Sequence, residues 1–363
     1  MVWERFLNAI SDSSYLGTLL NDCFQFFVLP VDNLGVRQDA SDCLANTPTV
    51  KLIDVDERLR SYYQSPYKRW PEDALHRTTT AKIGHELRQA LLFVAASHSD
   101  GRIRQKVQWL LPQFPGRLAL AASLIRCADW VPQVQFAAQD AAVRLLELCS
   151  DEEVLEVWPL VIRLRSRTRI SGDWFHEHVE SWMLKDAKWP LLLKMLREKN
   201  SAIRSWAYGE ALNGEASLPI DLLEAAIDDA NPAIALLALR HAQGRCSVAR
   251  TDLAKKGLSA PHPVTRRESL RVLAKSTELP PYDLLRQALF DRSAGVRSLS
   301  AFLLRERFEE DATRHWRDML DHNGNSPTLG ALISLADVAE EQDLMRMRRW
   351  PLSSRKPCAH AQP

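Results

Sequence analysis

Glycine is scarce, 13 residues in 363, which leaves little material for phosphate-cradling loops or for barrels built on many tight turns. No GxxxxGK[ST], GxGxxG, GxSxG or HExxH pattern occurs. P-loops, dinucleotide turns, nucleophile elbows and zincin helices therefore have no support in the sequence. Six cysteines (Cys23, Cys43, Cys127, Cys149, Cys246 and Cys358) are scattered without CxxC spacing, the pattern of reduced thiols in the cytosol. An excess of either charge is also lacking. With 47 Lys+Arg against 46 Asp+Glu the formal net charge is +1, so no global field draws in nucleic acid or an anionic membrane. Apolar runs such as 90–96 fall far short of the roughly 20 residues a bilayer-spanning helix needs. The start, Met1 to Leu7, lacks a basic segment followed by an apolar one, so no secretory leader is expected. The expected location is cytoplasmic.

What is present is a repeat. Ile203, Ile234, Thr265 and Val296 follow one another at 31-residue steps. Seven positions before them stand Leu196, Ile227, Leu258 and Leu289, and four positions after them Ala207, Ala238, Ser269 and Ser300. Ile103 and Val134 carry the same downstream pattern with Val107 and Ala138. The 69 residues from Val134 to Ile203 leave room for one degenerate copy with an insertion, and Leu329 anchors a last one. About eight units are expected between 86 and 345. Each reads as two helices with apolar residues at three- and four-residue steps, separated by breakers such as Asn213-Gly214, Asn231-Pro232, Pro261 and Pro280-Pro281. One such hairpin cannot bury its apolar stripe alone, and stacking buries it, so the expected fold is an all-α superhelical α-solenoid.

The run from Leu284 to Arg297 (LLRQALFDRSAGVR) resembles a HEAT repeat: an apolar helix, an Asp turn, then Val-Arg opening the second helix. The period of 31 is similar to the short, bilin-lyase-type HEAT-like subclass rather than to the unit of ~40–47 residues. The resemblance implies a ladder of turn acids and arginines six residues later, linking adjacent repeats. Asp291/Arg297 keep both partners and Glu198/Arg204 nearly so, while Ala235 and Gln135 replace the arginine and Ala260 replaces the acid before Arg266. On this reading the ladder is incomplete.

Residues 1–85 fall outside the period. An apolar start (Trp3, Phe6, Leu7, Ile10) precedes a polar stretch with a short strand expected at 50–55 and aromatics Tyr62, Tyr63, Tyr67 and Trp70. This region is either a cap on the first repeat or a partner-binding or oligomerising segment. A polar tail follows at 346–363.

Candidate chemistry is thin. His85-Glu86 and His176-Glu177-His178 are the only concentrations of metal-capable side chains. Deoxyhypusine hydroxylase, a HEAT-repeat enzyme, holds two irons on four dyads at equivalent repeat positions. Here there are two, at non-equivalent positions, so neither metal nor cofactor is expected and no catalytic residue is named. Arginine is more suggestive. Arg163, Arg165, Arg167 and Arg169 fall within seven residues, and Arg240, Arg267, Arg271 and Arg305 lie along second helices, which in this class line a concave face. The alkylpurine DNA glycosylases, similar HEAT-like solenoids, cradle DNA there, which makes nucleic acid the rival partner. Trp158, Trp174, Trp182 and Trp189 gather around the degenerate copy, with Trp174 the interface candidate. The expected function is a non-enzymatic, protein-binding scaffold. One concrete form is an immunity protein for a cognate bacterial toxin.

Overall fold

The computed structural model describes residues 44–62, 70, 73–167, 169–213, 218–242, 247–276, 281–321 and 329–348. The expectations for the apolar start and for most of the tail lie outside these residues. Among the described residues the structure is all-α, with no strand. Two compact units divide the chain, 1–207 and 208–363, and the boundary falls within the array expected over 86–345.

The first described helix, α1 (Leu52–Tyr62), corrects the strand expected at 50–55. A 3-10 turn, Thr49–Lys51, leads into it from Pro48. Leu52, Val55, Asp56 and Leu59 are all buried, at the three- and four-residue steps of a helix rather than the alternation of a strand. A short helix, α2 (Ala74–Thr80), follows.

Eight helical hairpins come next among the described residues. Unit 1 holds α3 (His85–Ala96) with α4 (Gly101–Leu110), then α5 (Arg117–Arg126) with α6 (Pro132–Leu148). The third hairpin is irregular: α7 (Asp151–Leu164) pairs with α8 over 172–183, whose middle, His176–Glu180, is a π turn. The fourth pairs α9 (Trp189–Met195) with α10 (Ser201–Asn213), in which the unit boundary falls. Unit 2 holds α11 (Ile220–Ile227) with α12 (Pro232–Ala242), α13 (Ser247–Gly257) with α14 (Pro263–Ser276), α15 (Tyr282–Ala288) with α16 (Ala294–Phe308), and α17 (Ala312–Asp321) with α18 (Leu329–Ala336). A last helix, α19 (Glu341–Arg348), follows.

Local chemistry starts these helices. Asp100 caps α4 by accepting from the Arg102 N–H, and Ser150 with Glu153 forms a capping box on α7. Pro132, Pro232 and Pro263 occupy first helical positions, where the missing N–H costs nothing.

Within each unit the packing is that of an α-solenoid. First helices lie against the next first helix (α3 on α5, α5 on α7; α11 on α13), and second helices against the next second helix (α4 on α6; α12 on α14, α14 on α16, α16 on α18). The register columns explain this. Val107, Ala138, Ala207, Ala238, Ser269 and Ser300 are each 0 % exposed, and the alanines and serines among them are small enough to let neighbouring helices approach closely.

The arginine ladder runs differently from the expected pairing. Arg104 grips Asp129 through two hydrogen bonds, both 2.9 Å, and Arg266 grips Asp291 in the same way. Each arginine therefore binds the turn acid of the following hairpin, 25 residues on, and spends its remaining nitrogen on its own turn: Arg104 on the His98 and Ser99 carbonyls, Arg266 on those of Ala260 and Pro261. Arg266 needs only the carbonyl of Ala260, but the rung that the same spacing would place between positions 235 and 260 has alanine at both ends, so the ladder is incomplete there. Asp129 and Asp291 each accept a further N–H two residues on, which orients them within the turn.

The N-terminal segment lies across the first helices of unit 1. Arg117 of α5 donates to the carbonyls of Leu44 and Thr47, and Arg163 of α7 to that of Val50. At its centre a buried chain of charge runs from Asp56 to Arg126 to Asp129 to Arg104, and Ser97 adds a hydrogen bond to Asp56. Alternating signs along the chain offset the desolvation of each member.

Candidate functional site

The four-arginine run is divided by the fold. Arg163 sits 2.7 Å from Asp54, and its hydrogen bond and charge hold the Asp54 carboxyl below the usual carboxylate range. Arg167 reaches Glu57 at 2.8 Å and Arg165 lies 3.0 Å from Glu180. Arg169 is exposed, and its carbonyl accepts from Gln135. Three of the four charges are thus answered within the protein, which leaves a far weaker grip for phosphates than the sequence run implies.

Trp174 is half-buried and stacks on His178, ring centroids 5.3 Å apart at 15°. Trp158 and Trp182 are core residues, Trp158 packing against Trp206 at 4.8 Å. The dyads form no metal cluster: His85 faces the Pro115 carbonyl and Gln89, and His176 faces Glu180. Among the described residues no three His, Cys, Asp or Glu side chains are placed to hold a metal ion.

In unit 2, Arg240 and Arg271 are both exposed on successive second helices. Arg271 pairs with Glu268 at 3.2 Å. Arg267 is half-buried beside Gly295. Arg305 opens onto a groove of about 300 Å³, with Phe302 and Val338 as its apolar walls and Ser334 and Asp337 among its polar ones.

The register shows what reasoning from charge missed. Six residues after the repeat anchors stand not only Arg240 and Arg271 but also Trp109 and Phe302, 57 % and 47 % exposed. In unit 1, Phe136 of α6 is 67 % exposed, and Trp130, in the turn before it, 61 %. Arg102 and Lys106 are exposed on α4 at steps that share a face with Trp109. Extending the column of Arg240 and Arg271 back to the first repeat would have found Trp109.

No protein-family model matches the chain and no curated protein matches it. Among solved structures it is similar to an engineered protein, at 14 % identity over 88 % of this chain and 89 % of that one, with a TM-score of 0.28. It is also similar to a chain from the structure of the Pds5–Scc1 complex, at 12 % identity over 93 % of this chain and 56 % of that one, again with a TM-score of 0.28. No described helix is long and apolar enough to cross a membrane.

Proposed function

We propose that the protein is a non-enzymatic scaffold that recognises a protein partner through the second-helix side of its hairpins. The observation that carries this reading is the exposure of Trp109, Trp130 and Phe136, each more than half in solvent, on two successive hairpins of unit 1. Large aromatics left in water on a rigid surface are the residues that dominate protein interfaces once covered. Arg102 and Lys106 beside them have no acidic partner among the described residues, so the partner is one that brings acidic groups. A pre-organised face of this kind lowers the ordering cost of binding. By period alone, we place the repeats in the short bilin-lyase type of the HEAT-like class. In its most concrete form the scaffold is a cytoplasmic immunity protein that sequesters a cognate bacterial toxin, and a toxin gene beside its own would support that form.

Nucleic acid is the rival, because bases can stack on exposed aromatics flanked by cations. One experiment separates them. The full chain is used to capture partners from the native host, beside a Trp109→Ala, Phe136→Ala variant and an Arg240→Glu, Arg271→Glu variant. The expected result is one protein recovered in stoichiometric amount by the parent chain and reduced with the variants. Recovery of nucleic acid that salt titrates away, with no protein, would overturn the reading.

A further inference from the structure

The irregular third hairpin holds a cavity that the docking face does not use. It lies where the end of α7 meets α8 and measures about 180 Å³. Leu164, Ile170 and Phe175 form its apolar wall, and Glu180, His176 and Arg165 its polar one. Glu180 is the unusual member. It closes the π turn His176–Glu180, a helix irregularity that recurs at functional sites, and its side chain is only 3 % exposed. His176 Nδ1 lies 3.1 Å from Oε2. Arg165 Nε lies 3.0 Å from Oε1, yet it is not aligned to donate, so Oε1 has an ion pair and no hydrogen bond. A carboxylate taken out of water and left one donor short retains most of its desolvation penalty.

We propose that this cavity is a socket for one lysine or arginine side chain of a protein partner. An ionised carboxylate only accepts, so its occupant must donate. The apolar wall suits the stem of a long cationic side chain, and the volume suits one side chain rather than a peptide. Asp173 and Glu177, both exposed, precede Glu180 by seven and three residues on the same helix. With Glu180 they give three negative charges against those of Arg165 and Arg169. Gly172 lines the cavity, and a Cβ placed there would meet nothing within 4 Å.

Naming a protein as the source of the side chain rests on the scaffold reading above, but the socket is testable without a partner. N-acetyl-arginine amide and N-acetyl-lysine amide are titrated into the full chain while the amide resonances of Ile170, Phe175 and Glu180 are followed by NMR, with the norleucine and glutamate amides as controls. The cationic probes are expected to give saturable shifts in the millimolar range and the controls none. Glu180→Gln should weaken the cationic probes about tenfold, since the charge assistance is lost. Gly172→Leu should block them by filling the mouth while leaving Glu180 in place. Thermal melts check that both variants fold. No saturable shift with either cationic probe, or undiminished binding in a folded Glu180→Gln variant, overturns the socket. So does preference for the glutamate amide, which would make this a carboxylate site on Arg165. Partner capture with failed titrations leaves the scaffold standing and removes the socket, and the converse result does the reverse.

Discussion

Arg266 and Asp291 clasp each other across two hairpins, Nε to Oδ2 at 2.7 Å and Nη2 to Oδ1 at 2.8 Å. The arginine side chain is 6 % exposed and the aspartate 14 %. A bidentate pair of this kind fixes both distance and angle between neighbouring turns. Arg104 and Asp129 repeat it in unit 1 at the same 25-residue separation. The two pairs thus join the first hairpin to the second and the sixth to the seventh, which sequential packing alone would leave to apolar contact.

Removing one partner should cost far more than removing both. Asp291→Ala leaves a buried guanidinium unanswered and is expected to destabilise unit 2 by about 3–5 kcal/mol, whereas Arg266→Met with Asp291→Leu should recover much of that loss. Urea unfolding of Arg266→Met, of Asp291→Leu and of the double variant gives the coupling energy directly. Additive losses would show that the pair does not link the turns.

Glycine 330 should tolerate no side chain. A Cβ there would stand 2.7 Å from the Asp291 carbonyl oxygen and 3.2 Å from Arg297 Nη1. It would press on an arginine that donates to the Asp291 carbonyl at 2.8 Å and to Ser334 Oγ at 2.6 Å. Gly330→Ala is expected to cost about 1–3 kcal/mol by overpacking. Gly209, inside α10 with nothing within 4 Å of a Cβ, is the contrast. Gly209→Ala should raise stability by about 0.5–1 kcal/mol, because alanine loses less backbone freedom in a helix. Denaturant midpoints of the two variants should move in opposite directions.

His98 should make stability depend on pH. Burial lowers its pKa from 6.5 to about 4, with Asp100 opposing that fall and Arg104 adding to it. Its ring sits edge-on to Trp70 at 4.7 Å, and its Nδ1 accepts the Asp100 N–H. Because the folded value lies below the unfolded one, the unfolded chain takes up the proton first as pH falls. The stabilisation is therefore complete above pH 6.5, declines between 6.5 and 4, and levels off below. The full span is worth about 3 kcal/mol for a group acting alone. His98→Gln should flatten the stability curve across that window, as followed by urea unfolding at stepped pH. An unchanged slope would assign the dependence to other groups.

Repeat arithmetic was a sound guide to the core. Val134, Ile203, Ile234, Thr265 and Val296, aligned by spacing, are between 0 and 4 % exposed. The 69-residue gap after Val134 is filled by a hairpin with a π turn, an irregularity that composition does not announce. Local reading failed at 50–55, where a β-branched run with Pro48 ahead of it suggested a strand. The burial of Leu52, Val55 and Leu59 made it a helix, a tertiary choice that overrides propensity.

The sequence by itself determined the all-α class, about eight hairpins and most of the buried column, because these follow from apolar spacing along a single chain; Leu329, expected to anchor the last copy, is instead 60 % exposed. Tertiary structure alone decided which charges remain free. Arg163 and Asp54 are 109 residues apart, and Arg167 and Glu57 are 110. Nothing in the spacing of the four-arginine run says that residues 44–62 will lie across the first helices and answer it. The exposure of Trp109, Trp130 and Phe136 was decided in the same way. Whether an aromatic is core or surface depends on which neighbour packs over it, and in a stack of hairpins that neighbour belongs to a different repeat.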